Sequence, residues 1–353
     1  MQPKLHAPLA PLTSLAVGGL AERLYLCSSA DELQAVLSDN AQQPLWVLGY
    51  GANVLISDKG LPGTTIVTRN QSIARVPDST MVVAEAGAWW DDLVQFALAE
   101  NLWGLELTSA IPGGVGAAVV GNIAAYGQAV SDTLLWVDTL DTTTQQLQRL
   151  EAKDLGLSYR FSSFQTEQFK HHVIVRAAFG LSPASTKDVA YQSAIDIAEE
   201  LGYDLTTLSG RRDTILETRS RAGSLWDYRS VDAQMHTAGS FFRNPLVDEA
   251  TATAIMAYDE TGKSTELLQK MNQVHGGDSM RVSAAHVLLA AGFQRGQTWG
   301  PVRLHPDHIL KIENTGDATA QQVYDVAMEI VRTVQEKLQV TLVPEVRFLG
   351  DFA

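Results

Sequence analysis

The sequence predicts an α+β protein of two or three domains, and three observations lead there. Its 353 residues exceed what one ordinary hydrophobic core covers. Short apolar strands alternate with amphipathic helices through the first half, and from about Asp188 the pattern turns helical. Residues 23–27 read as a strand, 30–38 as a helix and 45–48 as a strand ending in a glycine turn. Residues 66–69 and 81–86 follow as strands. A helix over 89–100 places Trp90, Leu93, Val94, Ala97 and Leu98 on one face. After a segment of small residues, strands are expected over 134–140, 146–150 and 173–179. Helices are expected over 214–221, 249–258, 283–291 and 318–338, the last capped by Asp317. A strand over 340–349 closes the chain. This layout gives a mixed α/β first half of two small lobes, at 1–75 and 76–205, then an α+β domain at 206–338 and a closing strand at 339–353.

Composition narrows the function classes. A net charge of −14 opposes a nucleic-acid surface, which needs a basic patch, and opposes docking on anionic lipid. Hydrophobic and charged shares of 45% and 19% are those of a globular protein. The lone Cys27 permits no intrachain disulfide and fits a reducing compartment. Residues 1–20 show no secretory h-region, and no apolar run approaches the roughly 18 residues that span a bilayer. A cytoplasmic protein with no membrane contact and no obligate protein partner is expected.

Two glycine-rich segments carry the first chemical signal. Leu48-Gly49-Tyr50-Gly51-Ala52-Asn53-Val54-Leu55 follows a strand, and glycines there let a ligand approach the main chain, whose N–H groups suit a diphosphate. A plain strand–strand turn is the better explanation of Gly-x-Gly alone. A Rossmann fingerprint would need a third glycine where Val54 stands. The second segment, residues 111–127, packs five glycines among several alanines. Either a flat ligand or close helix packing would account for it.

Together the segments resemble the two nucleotide-gripping loops of the vanillyl-alcohol-oxidase, or PCMH, type of two-lobed FAD-binding domain. Three further motifs keep the same order. Leu157-Ser158-Tyr159-Arg160-Phe161-Ser162, Ala238-Gly239-Ser240-Phe241-Phe242-Arg243-Asn244-Pro245 and Leu342-Val343-Pro344-Glu345-Val346-Arg347-Phe348-Leu349-Gly350 are similar to motifs of the bacterial UDP-N-acetylenolpyruvoylglucosamine reductase family. The opening Leu9-Ala10-Pro11-Leu12-Thr13-Ser14 and Val17-Gly18-Gly19 resemble that family too.

The resemblance implies a PCMH-type FAD-binding domain followed by an α+β substrate-binding domain. It implies FAD as bound cofactor, NADPH as reductant and a UDP-sugar enolpyruvyl ether as substrate. NADPH reduces the flavin, hydride passes to the vinyl methylene carbon, and the carbon beside the carboxylate is protonated. By the same resemblance Arg160 pairs with the substrate carboxylate, Glu345 stabilises the enolic form there, and Ser240 donates the proton. The implied FAD residues are Gly49, Tyr50, Gly51, Ala52, Asn53 and Val54 in the first loop. In the second they are Pro112, Gly113, Gly114, Gly116, Ala117, Asn122, Ala125, Tyr126 and Gly127. Tyr159, Tyr191, Arg221 and Asn244 are implied substrate contacts. Taken singly, each residue also reads as a surface ion-pair partner, turn residue or core tyrosine.

The chain departs from the family pattern at several points. Ala52 replaces a serine, Val119 falls near an expected proline, and residues 122–125 read Asn-Ile-Ala-Ala. Phe161 and Gln165 replace the usual Asp or Asn and Lys, and His286 stands near a family Trp. Ala222 occupies the register of a diphosphate-binding lysine, with Arg221 as substitute. Five arginines, at 211, 212, 219, 221 and 229, suit either an anionic ligand or a helix laced with ion pairs through Asp213, Glu217 and Asp227. Two other readings stay open. One is a flavin oxidoreductase acting on another sugar nucleotide or hydroxy acid; the other is a flavin or UDP-sugar binder without catalysis. Pro306 between His305 and His308 opposes a helical metal-ligand pair, and no metal is expected. Neither a Gly-x-Ser-x-Gly elbow nor a Walker A motif is found.

Overall fold

Strands from both ends of the sequence leave their local neighbours, so the packing divides the chain differently from its linear order. A computed structural model describes residues 1–40, 44–225, 236–258 and 280–353. One compact unit comprises residues 1–7, 21–50 and 62–221; the other comprises 8–20, 51–61 and 222–353.

The first unit holds two sheets. One runs in the order Lys4–Pro8, Leu20–Cys27, Leu61–Thr68, Leu45–Leu48, its last pair parallel. The helix Ala30–Asp39 buries Leu33, Val36 and Leu37 against Tyr25, Cys27 and Ile66, and the Ser29 hydroxyl caps it by accepting the Glu32 N–H. Burial pushes the Cys27 thiol up to about 11, so this cysteine is a neutral core residue. The other sheet is antiparallel throughout, in the order Leu147–Glu151, Leu134–Asp141, His172–Gly180, Met81–Glu85, Ile73–Arg75. On it lie the helix Trp90–Ala99, through Trp90, Leu93, Val94 and Ala97, and the short helix Val115–Gly121, through Val115, Ala118 and Val119.

Two more helices, Gln192–Leu201 and Leu208–Arg221, complete this unit, the first ending at left-handed Gly202. The second begins six residues before its expected start. Arg211, Arg212 and Arg221 of this helix make ion pairs. Arg211 is 4% exposed and meets Glu106, 1% exposed, at 3.0 Å. Arg212 forks onto Asp91 with two 2.8 Å bonds, and Arg221 reaches Glu200 and Glu217 at the surface. Arg229 and Asp227 lie outside the described residues.

In the second unit the sheet order is His236–Ser240, Lys311–Asn314, Val302–Leu304, Thr298–Trp299. The helix Ala320–Leu338 packs Val323, Val326, Ala327, Ile330 and Val334 into a core shared with Ile312, Leu304 and the helix Ala284–Ala290. Its cap differs from expectation. Thr319, not Asp317, accepts the Gln322 N–H in a capping box, because the Asn314 carboxamide already takes the Gly316 and Ala318 N–H groups and carries the turn two residues further. Asp58 adds a second cap, accepting from the Ala320 and Gln321 N–H groups at 2.9 and 2.8 Å. The closing strand is also shorter than expected. Pro344 lacks an N–H and makes only an isolated bridge to Phe242, so pairing is confined to Arg347–Leu349, parallel to Val54–Ile56. Among the described residues no helix is long and apolar enough to cross a membrane.

Two stability outcomes follow from these contacts. Asp58→Ala strips two bonds from the helix N-terminus and should cost about 1–2 kcal/mol, read from denaturant midpoints, with Asp58→Asn losing less. Burial alone would raise the Asp91 carboxyl, but bonds from Arg212, Ala110 and Gln95 hold it below the ordinary carboxylate range. Its folded value being depressed, Asp91 stabilises the protein above the unfolded aspartate value of about 3.9, and this is lost as pH falls below it. Asp91→Asn should therefore cost about 2 kcal/mol at neutral pH, with a gap that narrows on acidification. A constant gap from pH 7 to pH 3 would contradict this account.

Candidate active site

In the first unit the start of the first glycine loop is pinned from three sides. The Tyr50 ring stacks on Trp89 with centroids 3.5 Å apart, and the Arg69 guanidinium lies 4.2 Å from its centroid. The Tyr50 hydroxyl donates to the Gly87 carbonyl at 2.7 Å and accepts from Gln71 at 2.6 Å. Arg69 also donates to the Gly49 carbonyl at 2.9 Å. A Cβ built on Gly49 would meet only the Ala117 Cβ, at 3.8 Å, so the space over this glycine is otherwise open. The two loops are thus neighbours: Gly49 faces Ala117, and Tyr50 lies against Gly114.

The glycines of the second loop divide by role. Side chains on Gly114 and Gly116 would come within 3.0 Å of the Ala86 carbonyl oxygen and 2.9 Å of the Ala86 Cβ, so close packing accounts for their smallness. Gly113, at φ +119°, follows the half-buried Pro112 and accepts the Trp90 N–H. Among the described residues, the N–H groups of buried Gly113 and Gly114 have no main-chain acceptor. Further on, Ala124–Ala125 pairs with Gln128–Ala129 around a two-residue turn in which Tyr126 and Gly127 both have positive φ, the I′ hairpin geometry. Nothing lies within 4 Å of a Cβ built on Gly127.

Tyr159 and Arg160 form the tip of another tight turn, closed by reciprocal bonds between Ser158 and Phe161. Arg160 sits at φ +53°, a left-handed conformation that a non-glycine residue holds only when its surroundings enforce it. Those surroundings are visible. Asn122 Nδ2 donates to the Ser158 carbonyl at 2.8 Å, and Gln165 donates to the carbonyls of Val120 and Arg160. The Ser162 hydroxyl also binds the Val120 carbonyl. Tyr126 and Tyr191 meet edge to face at 5.6 Å. Burial raises both phenols, and each also feels a nearby cation, Arg219 for Tyr126 and Arg160 for Tyr191. Tyr159 adds to the shift at Tyr191, so three tyrosines and two arginines share one neighbourhood. Arg221 is placed apart from these contacts, on Glu200 and Glu217.

The second unit gathers Gly51–Asn53, Ser240 and Glu345. Gly51 is buried at φ +63°, where a Cβ would lie 2.0 Å from the Leu12 carbonyl oxygen. Among the described residues, the N–H groups of Gly51, Ala52 and Asn53 have no main-chain acceptor. Val54 opens the strand that pairs with Arg347. Asn53 Nδ2 donates to the Glu345 carbonyl at 3.2 Å, and the Arg347 N–H returns to the Asn53 carbonyl. The Glu345 N–H donates at 2.8 Å to the carbonyl of Phe241, the residue after Ser240. Asn244 accepts the Ala284 N–H, which fixes the start of a helix.

Comparison with known proteins covers nearly the whole chain. A family model described as "FAD binding domain" matches residues 21–149, and one described as "UDP-N-acetylenolpyruvoylglucosamine reductase, C-terminal domain" matches residues 231–349. UDP-N-acetylenolpyruvoylglucosamine reductase 2 of Corynebacterium glutamicum is 33% identical over 353 residues, covering 97% of this chain and 92% of that protein. The chain belongs to the UDP-N-acetylenolpyruvoylglucosamine reductase family. The Streptomyces coelicolor reductase is 34% identical, covering 97% of this chain and 89% of its own. In fold, the crystal structure of the Thermus caldophilus reductase matches with a TM-score of 0.62 and 22% identity, covering 99% and 98% of the two chains.

Membership of this reductase family brings FAD as cofactor, and the first unit's residues fit that group. Open space over Gly49 and Gly127 admits a ligand against the main chain, and buried N–H groups at Gly113 and Gly114, without a main-chain acceptor among the described residues, suit its diphosphate. Arg69 and Trp89 are positioning residues that the sequence motifs do not contain, since their partner Tyr50 is remote in sequence, whereas Gln165 stands in the Tyr-Arg motif as a departure and holds the Arg160 carbonyl. Gly51→Ala should drive its Cβ into Leu12, open the loop and leave the purified protein with little flavin, read as flavin absorbance per protein. Full flavin occupancy would show that the turn tolerates the methyl group.

Proposed function

We propose that this protein reduces UDP-N-acetylenolpyruvoylglucosamine to UDP-N-acetylmuramate with NADPH through bound FAD, a step of peptidoglycan precursor synthesis in the cytoplasm. The observation that carries the reading is similarity to named reductases over 97% of the chain, with Ser240 and Glu345 joined through Phe241 in the folded protein. FAD, when bound, supplies hydride transfer between NADPH and the vinyl methylene carbon.

The chain's own residues then have separable tasks. Arg160, held in its strained turn by Gln165 and Asn122, offers a planar fork to the substrate carboxylate. Glu345 stabilises the enolic form that develops at that carboxylate. Ser240 delivers the proton to the carbon bearing it. Tyr159 and Tyr191, with Asn244, contact the UDP-sugar. Arg221 is assigned no ligand, because two glutamates already engage it.

Anaerobic stopped-flow absorbance tests the reading. NADPH should bleach the flavin band and the enolpyruvyl substrate should restore it. In Ser240→Ala bleaching should proceed as in the wild type while recovery slows about 10²–10⁴-fold. Bleaching without recovery in the wild type would leave a flavin reductase with another substrate and would overturn the proposal.

A further inference from the structure

One deeply buried cation of the second unit has no task in the scheme above. Lys311 is 3% exposed and is the direct strand partner of Ser240. The Phe241 N–H donates to the Leu310 carbonyl at 2.8 Å. In an antiparallel ladder that bond makes Ser240 and Lys311 a non-hydrogen-bonded pair, the kind whose Cα atoms lie about 4.5 Å apart with side chains on one face. The ladder is irregular just before this pair, where Gly239 takes φ +78° and leaves open space beyond its Cα. The Lys311 ammonium is fixed by the carbonyls of Ala222 and Gly223. Its field is felt nearby. Burial first, and then the Lys311 charge, hold His305 and His308 below the usual imidazole range, His308 at about 4. Both imidazoles are therefore neutral near pH 7.

We propose that Lys311 is a positioning residue for the proton donor, its ammonium stabilising the oxyanion left on Ser240. The inference deepens the reductase reading and rests on it. In the proton-transfer step the Ser240 O–H bond breaks and a C–H bond forms at the carbon bearing the carboxylate. The electron pair of the broken bond stays on Oγ until water returns a proton. An alkoxide is a costly product for a serine, and a fixed cation on the same sheet face lowers that cost without surrendering a proton itself.

Two substitutions separate this role from simple anchoring of residues 222 and 223. Lys311→Gln keeps amide donors for the two carbonyls and removes the charge; Lys311→Arg keeps the charge. Flavin reduction by NADPH should be unchanged in both. Reoxidation by UDP-N-acetylenolpyruvoylglucosamine should slow about thirty-fold in Lys311→Gln, with an enlarged solvent deuterium isotope effect, and recover most of its rate in Lys311→Arg. Lys311→Met serves as the second uncharged variant if the glutamine protein does not fold, with melting temperatures as the check. Wild-type rate and isotope effect in the uncharged variants would overturn the proposal. So would equal slowing in all variants with an unchanged isotope effect, which would assign Lys311 to anchoring alone. A wild-type enzyme that this substrate cannot reoxidise removes the reductase reading and this inference with it, whereas wild-type turnover with indifferent variants removes only the inference.

Discussion

A three-residue parallel pairing organises the second unit. Val54–Ile56 lies on Arg347–Leu349, and the pairing fixes the residues that flank it on both strands. Asn53, just before one strand, binds the Glu345 carbonyl across a separation of 292 residues. Glu345 in turn binds the carbonyl after Ser240. Because strand register has a period of two, a one-residue slip would turn every side chain to the opposite face and break this chain of bonds. The glycine turn at Gly51, buried against Leu12, makes the register accessible, since no side chain fits there.

A different constraint governs the first unit. Its second glycine loop is packed from behind by Ala86 and Tyr50: the Val115 and Gly116 N–H groups bind the Ala88 and Ala86 carbonyls, while those of Gly113 and Gly114 have no main-chain acceptor among the described residues. The same short helix ends at Asn122, whose side chain closes the Tyr159-Arg160 turn. The second glycine loop and the Arg160 turn therefore share one support, the helix Val115–Gly121. Left-handed backbone at Asn122, Tyr126 and Arg160 falls beside this support, as it does at His6, Asp78, Asn101, Ala110 and Gln145 elsewhere in the unit.

Charge is spent differently from what composition alone suggests. In a protein with net charge −14, the arginines at 211, 212 and 221 make ion pairs with Glu106, Asp91, Glu200 and Glu217. The buried Arg211–Glu106 pair satisfies groups that would be costly unpaired, so it secures the helix end rather than adding much net stability. Arg160, on a tight turn, and Lys311, in a strand, are placed differently, held by main-chain carbonyls and side-chain amides rather than by these carboxylates.

Much of the architecture was legible in the sequence because it is local. Apolar spacing marked the helices Ala30–Asp39, Trp90–Ala99 and Ala320–Leu338 and four of the five strands of the antiparallel sheet, all but the short Ile73–Arg75, and five ordered motifs carried the family and its cofactor. What periodicity missed was set by single contacts. Thr319 rather than Asp317 caps the long helix because Asn314 occupies the preceding N–H groups, and Pro344 cuts the last strand short. Only the tertiary structure decided that residues 51–61 join the second unit, that Gln165 and Asn122 hold Arg160, and that Lys311 stands opposite Ser240. Motif and period report what a residue is and what its near neighbours are. Which distant carbonyl, cation or strand it meets is fixed when the core closes, and that information is shared among segments hundreds of residues apart.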